Sequence, residues 1–265
     1  MASWPSEAIW EAVVPTLENF TVEILPEIDS TNSELMRRAR AGQLDPILLV
    51  AERQTAGRGR LGRTWHTDGA EIEGIPALTF SLGLPLSPQN WSGLSLAVGI
   101  SVAQSLHPSL RLKWPNDIWL NDRKLGGILI ETAVVNDVRY AVIGIGINIA
   151  PLTVITASGL STPPACLREV QPGMDAGMAL QRIAKPLLRA IQTFAQTGFA
   201  RFLADFHALD LLAGRTVTLS DGSSGQAMGV DAAGGLRIKT ASGAVQTIIS
   251  AEVSVRPSTP SASPC

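Results

Sequence analysis

Twelve consecutive residues, Gln54-Thr-Ala-Gly-Arg-Gly-Arg-Leu-Gly-Arg-Thr-Trp65, hold three glycines, three arginines and one tryptophan. Glycine lets a backbone come close to a ligand, and arginine offers forked donors that match carboxylate and phosphate oxygens. The chemistry such a loop suits is the closing of N–H groups and guanidiniums over an anion. Gly57, Gly59 and Gly62 also satisfy G-x-G-x-x-G, which raises a dinucleotide-binding unit. That unit needs a helix opening at the third glycine and an acidic residue about 20 positions on. Here Gly62 is followed by Arg-Thr-Trp-His-Thr-Asp-Gly, which opens no apolar helix, and the position in question is Leu82. A G-x-x-x-x-G-K-[ST] loop is absent as well. On spacing alone, an anion site, a solvated loop and an Arg-Gly segment for RNA remain open.

A second group lies at Lys113-Trp-Pro-Asn-Asp-Ile-Trp119 and Arg123-Lys-Leu-Gly-Gly-Ile-Leu129, on either side of a tight turn. Pro115 keeps Trp114 out of the helical region, so Lys113, Asn116 and Asp117 are expected at a strand end or bend. Lys124 precedes Gly126-Gly127, where missing side chains leave room for a ligand against the backbone.

Together with Asp29-Ser-Thr-Asn32 and Gly144-Ile-Gly-Ile-Asn-Ile149, these pieces occur in an order and spacing that strongly resembles the biotin protein ligases. The resemblance runs from about residue 27 to 256, and Ala251-Glu-Val-Ser-Val-Arg256 resembles the end of that family's small C-terminal domain. It implies a two-step reaction. The carboxylate of biotin attacks the α-phosphate of ATP to give biotinyl-5'-AMP, and a lysine of a carrier domain of the acetyl-CoA carboxylase type then takes the biotin as an amide. Substrates are ATP and biotin, with Mg²⁺. A lipoate or octanoate ligase or transferase of related fold is the alternative, and a non-enzymatic RNA binder ending in a barrel is more remote.

The family pattern also assigns roles. Arg58, Arg60 and Lys124 hold the biotin carboxylate and the α-phosphate, with Lys124 expected to matter most for the first step. Lys113 and Arg63 serve the phosphates, with Asn116 beside them. Ser30, Thr31, Asn32 and Gln54 bind biotin, and Gly57 and Gly127 offer backbone contact. Ser30 and Thr31 also lie where a helix N-cap belongs, so capping competes with ligand contact as their role. Trp65 covers the adenylate, and Asn148, a polar outlier in an apolar strand, faces adenosine phosphate or metal. Asp117 either binds Mg²⁺ or orients the incoming amine, and Arg256 is an ATP contact. A loop that orders over its ligand would keep water from the reactive anhydride.

The elements that position these groups follow from pattern. A helix is expected from about Asn32 to Ala41, stopped by Gly42. Pro46-Ile-Leu-Leu-Val-Ala-Glu52 reads as a buried strand feeding the Gly/Arg loop. A strand near 76–86 and a buried helix ended by Pro108 come next. From Leu110 onward, β-rich runs punctuated by Asn121-Asp122 and Asn136-Asp137 suggest a meander of hairpins. Residues 151–175 read as a loop, and the stretch from Met178 as helical with interruptions at Pro186 and Gly198. After Leu212, short β segments with D-G, G-G and S-G turns fit a barrel of roughly 45 residues. The expected fold is α/β (α+β): a mixed sheet with flanking helices over 1–211, a small SH3-like β barrel over 212–256, and a disordered Pro/Ser-rich tail over 257–265. Residues 66–76, longer and more acidic than the family pattern, leave the frame of the following strand open.

Charged residues make up 17% and the formal net charge is −2, so the basic loop is local and composition gives no general attraction to nucleic acid. The first 20 residues are too few for a winged helix-turn-helix, so DNA binding is not expected. Two cysteines, Cys166 and Cys265, make no disulfide framework, and neither a signal peptide nor a membrane span is visible. The expectation is a cytoplasmic enzyme, possible as a homodimer through its catalytic sheet.

Overall fold

The structure is a computed structural model and describes residues 4–66, 75–151, 164–220 and 222–249, together with the backbone of 256–257. A seven-stranded mixed sheet forms the larger part, in the order β1-β2-β3-β7-β6-β5-β4. Its strands are β1 (Thr21–Ile28), β2 (Ile47–Gln54), β3 (Ala77–Pro85), β4 (Arg111–Lys113), β5 (Asp117–Leu120), β6 (Arg123–Val135) and β7 (Val138–Asn148). Only β1 and β2 run parallel. Their connection is α2 (Thr31–Arg40), the crossover helix that a parallel pair requires. The expected meander is present: β5, β6 and β7 pair antiparallel in succession. Asn121-Asp122 and Asn136-Asp137 turn the chain with all four residues at positive φ.

The two faces of the sheet are covered unequally. On one face lie α1 (Ser6–Val13), α3 (Leu94–Leu106) and α4 (Ala176–Thr197), over a large core that takes in Leu78, Phe80 and Leu82 of β3 and Ile143, Ile145 and Ile147 of β7. On the other lies α2 with a small cluster of Leu35, Met36, Leu49, Tyr140 and Val142. Strand side chains alternate between faces. The same parity that sends the β7 isoleucines to the large core therefore sends Gly144, Gly146 and Asn148 to the α2 side. The Gly-Ile-Gly-Ile-Asn run thus builds core on one face and makes room on the other for the side chains of Asn32 and Trp65.

One expectation fails in α4. Pro186 does not interrupt it; the helix runs from Ala176 to Thr197 with Pro186 inside, and ends at Gly198 with φ 68°. Pro186 and Arg182, whose carbonyl loses its i+4 partner, are both exposed, so water can take that carbonyl. Burial of Ile183, Leu187, Leu188, Ile191 and Phe194 holds the helix across the break. Pro186→Ala should restore the missing bond. A gain of about 2 kcal/mol follows once the stiffening of the unfolded chain by proline is offset, which is about 4–8 °C in Tm for a chain of this size. A scan showing no rise would mean the helix has adapted to its proline.

The chain then passes α5 (Leu203–Leu209) into a five-stranded antiparallel sheet, ordered β11-β10-β9-β8-β12. Its strands are β8 (Thr216–Thr218), β9 (Ser224–Val230), β10 (Leu236–Thr240), β11 (Val245–Ile248) and β12 (Arg256–Pro257). The Asp231–Gly235 turn docks on the larger part: Trp114 Nε1 donates to Gly234 O at 2.9 Å and Ser92 Oγ to Ala233 O at 2.6 Å. Of the disordered tail expected over 257–265, Pro257 pairs in β12 and residues 258–265 lie outside the described residues, as do 67–74 and residues 152–163 of the expected 151–175 loop.

Candidate functional site

The parallel register Ile28↔Gln54 brings the end of β2 beside the start of α2. Ser30 is the N-cap of α2, in extended geometry with φ −161° and ψ 133°, and its Oγ accepts from Ser33 N at 3.4 Å. Thr31 turns instead toward Gln54, whose Oε1 accepts from Thr31 N at 2.8 Å and from Thr31 Oγ1 at 3.2 Å. Ser81 Oγ, from β3, lies 2.7 Å from both Thr31 Oγ1 and Asn32 Oδ1. Asn32 Nδ2 donates to Leu129 O at 3.2 Å and to Glu131 Oε2 at 3.0 Å. Ser30, Thr31, Asn32, Gln54 and Ser81 are all buried polar residues. Buried polar groups in a continuous network hold a rigid wall that can present fixed donors and acceptors to a ligand.

Asn32 leans on Gly144, where a Cβ would stand 2.1 Å from Asn32 Oδ1. Gly146 is covered by the Trp65 ring, and a Cβ there would lie 2.4 Å from Trp65 Cε2. Trp65 Nε1 is buried and has no hydrogen-bond partner among the described residues. A buried donor with nothing to bond calls for an explanation, and a ligand acceptor supplies one.

The Gly/Arg segment between these points folds back on itself. Trp65 N donates to Gly57 O at 2.9 Å and Gly59 N to Arg63 O at 2.7 Å, with a bridge between Arg58 and Thr64 and a short 3₁₀ turn over Arg60–Gly62. Gly57 is required here, since a Cβ would sit 2.3 Å from Trp65 O. The turn aims Arg58 and Arg60 at different places. Arg58 reaches Glu131, with Nη2 to Oε1 at 3.1 Å and Nη1 to Oε2 at 3.2 Å. Arg60 Nη1 reaches Asn116 Oδ1 at 3.3 Å. Burial pushes the Arg60 guanidinium pKa down, and Arg63 adds to that while Asp117 opposes it.

Lys124 and Asp117 face each other beside Arg60, with Nζ to Oδ1 at 2.7 Å. Asn116 is fastened to β6, as its Nδ2 donates to Ile128 O at 2.9 Å and its O accepts from Ile128 N at 3.0 Å. Gly127 lies opposite both Asp117 and Gly146 in the sheet, and a Cβ there would be 3.4 Å from Lys124 Nζ. Lys113 stands over the Trp119 ring at 4.4 Å from its centroid. Lys124, Arg60, Asn116 and Asp117 thus meet beside Gly127, two cations, an amide and a carboxylate, while the polar wall of Thr31, Asn32, Gln54 and Ser81 lies along the same face of the sheet.

Two further candidates stand apart from this group. Asn148 is buried and its Nδ2 donates to Ala165 O at 3.0 Å, so its amide already has an internal task, holding the segment that follows β7. Arg256 is placed through its backbone pairing with Thr218, and its side chain lies outside the described residues. For Asp117 as a metal ligand, the described residues contain no cluster of three or more His, Cys, Asp or Glu. A lone carboxylate paired to lysine fits a metal delivered on phosphates, of which the protein holds one or two ligands, better than a protein-built cage. Ser81 and Glu131 are site residues that the motifs did not single out. The signal was available in β3 and β6, where strand parity puts both on the face of Asn32.

Comparison with known proteins finds matches in both parts of the chain. Residues 25–148 match the biotin/lipoate A/B protein ligase family, and residues 213–256 match the biotin protein ligase C-terminal domain. The bifunctional ligase/repressor BirA of Escherichia coli is 34% identical over 254 residues, which span 92% of this chain and 77% of that protein. The biotin–[acetyl-CoA-carboxylase] ligase of Mycobacterium tuberculosis is 32% identical over 214 residues, 74% of this chain and 73% of that one. Among solved structures, the biotin protein ligase of Aquifex aeolicus in complex with biotin and ATP superposes with a TM-score of 0.74 at 29% identity. It covers 91% of this chain and 100% of that one.

Proposed function

The chain belongs to the biotin protein ligases, and we propose how its residues divide the work of a ligase that activates biotin with ATP and attaches it to protein. The observation that carries the reading is the meeting of Lys124, Arg60, Asn116 and Asp117 beside Gly127, whose sheet neighbour Gly146 lies under the Trp65 ring. Joining a carboxylate to a triphosphate sets two anions against each other, and charge builds on the α-phosphoryl oxygens in the transition state. Fixed cations in a partly dry site answer both problems.

In this reading the Thr31–Gln54–Ser81–Asn32 wall takes the ring end of biotin, with Ser30 shaping the turn as cap. Arg58 lies on the side of that wall and meets the carboxylate; Arg60 and Lys124 lie on the other side and meet the α-phosphate. Trp65 closes over the nucleotide, its Nε1 free to donate. Lys113 and Arg63 serve the outer phosphates. Magnesium would arrive with ATP and supply charge neutralisation, with Asp117 the carboxylate placed to hold it. In the second half-reaction Asp117, freed from Lys124, would orient the attacking amine. The acceptor would be a biotin carboxyl carrier domain of the acetyl-CoA carboxylase type. We place the chemistry in the cytoplasm, and no helix among the described residues is long and apolar enough to cross a membrane. The outer edge of β6 beyond Ile128 is unpaired within the described residues, which supports pairing with a second copy.

Mass spectrometry of the products formed from ATP, Mg²⁺ and biotin, beside lipoate and octanoate, tests the adenylation step. Biotinyl-AMP from biotin alone is the expected product. An adenylate of lipoate or octanoate in its place would hand the site to the related ligases.

A further inference from the structure

Glu131 projects from β6 toward the α2 side of the sheet, and its two carboxylate oxygens are shared between two substrate-facing residues. Oε2 accepts from Asn32 Nδ2 at 3.0 Å and from Arg58 Nη1 at 3.2 Å, while Oε1 accepts from Arg58 Nη2 at 3.1 Å. The guanidinium is thus gripped by a carboxylate in the forked geometry it uses for carboxylate ligands. Arg58 is half exposed and Glu131 mostly covered, at 49% and 23% of the side chain. The arginine is therefore the partner free to swing, and the glutamate is the fixed one, anchored through Asn32.

We propose that Glu131 is a positioning residue that occupies Arg58 as an internal carboxylate, so that the carboxylate of biotin enters the site by exchanging with it. The inference rests on the ligase reading, in which Arg58 meets that carboxylate. Before biotin arrives, the pair neutralises a cation that any small anion could otherwise claim. On arrival, one carboxylate replaces another on the same guanidinium, and Asn32 keeps Glu131 in place as the one displaced. Half-exposed ion pairs are weak enough for this exchange to be easy. The position of Arg58 argues for biotin over ATP as the incoming anion. Its Nη1 also lies 3.4 Å from Ser33 Oγ, over the start of α2, whereas Arg60 and Lys124 stand together beside Asn116 and Asp117.

An internal competitor raises the apparent KM for its rival and leaves the chemical step alone. Glu131→Gln keeps the shape and an oxygen to accept from Asn32, and removes the charge. Its KM for biotin in the adenylation reaction should fall by up to about fivefold, the most that an exposed ion pair typically supplies, with kcat unchanged. Glu131→Ala also releases Asn32, so its KM should lie above that of Glu131→Gln. A KM for Glu131→Gln equal to or above that of the unaltered protein would overturn the proposal, because a residue serving only to hold Asn32 or to tether the loop predicts that result. The unaltered protein run in parallel separates the two levels. If it makes no biotinyl-AMP, the ligase reading itself falls; if it does and Glu131→Gln shows no gain, only the exchange falls.

Discussion

Lys124→Ala is expected to cut biotinyl-AMP formation by about 100-fold to 1000-fold while leaving the fold intact. The magnitude is that of losing one preorganised donor aimed at charge that develops in the transition state. Three features place Lys124 in that role. It stands at the start of β6 and lays its side chain over Gly127, where a Cβ would come within 3.4 Å of its ammonium. It is paired to Asp117 at 2.7 Å, which holds the ammonium at one point until phosphate takes over. Its side chain is 40% exposed, so its removal opens no cavity and costs little stability. The check is single-turnover adenylation beside a thermal melt. A variant that melts normally and keeps more than about a tenth of the rate would remove Lys124 from the centre of the first step.

The second large effect comes from a residue with no functional group. Gly144→Ala adds one methyl group at a place where a Cβ would stand 2.1 Å from Asn32 Oδ1, well inside contact distance. Gly144 is held on both sides, by Ser81 of β3 and Leu129 of β6, so Asn32 must give way. Moving Asn32 breaks its link to Ser81 at 2.7 Å and to Glu131 at 3.0 Å, and with them the wall shared with Thr31 and Gln54. Overpacking of this kind costs about 1–3 kcal/mol, a fall of about 2–12 °C in Tm for a chain of this size. The binding consequence is sharper: KM for biotin should rise at least about tenfold, while KM for ATP changes little. Equal rises for both substrates would mean that the sheet as a whole had shifted and that the wall has no special place in biotin recognition.

How far the site could be read from residues alone depends on whether a residue declares itself by type. Lys124, Arg60, Asn116 and Asp117 do: charged or amide groups next to glycine and proline have few structural reasons to be there, and the structure brings them together. Ser81 does not, because a serine in an apolar strand looks like any tolerated small residue until β3 pairs beside β7 and its Oγ meets Thr31 and Asn32. Gly144 and Gly146 were noticed as a motif, yet their purpose lies in parity. Only when the isoleucines between them are assigned to the large core does it follow that the glycines face α2 and make room for Asn32 and Trp65. Asn148 declares itself by its polarity, and the structure adds a task that polarity alone does not reveal, the bond from its Nδ2 to Ala165 O. Ser30 takes the capping role that its place before the helix suggests, and holds the turn that delivers Thr31. In the fold, α2, β2, β3 and the hairpins follow from pattern and turn chemistry. Strand β1 does not stand out, because Pro26 and two glutamates hide a strand at the sheet edge, where proline is tolerated. Pro186 misleads because burial along α4 outweighs one lost hydrogen bond.

The measurement that bears most directly on the central claim is transfer of biotin to protein. The chain is incubated with ATP, Mg²⁺, biotin and a biotin carboxyl carrier domain, and the carrier is then mapped by mass spectrometry. One biotinyl group on a single lysine, dependent on ATP and lost with Lys124→Ala, is the expected result. A carrier that stays unmodified while biotinyl-AMP forms and hydrolyses would contradict it, leaving an adenylating enzyme whose acceptor is not a carrier domain of this type.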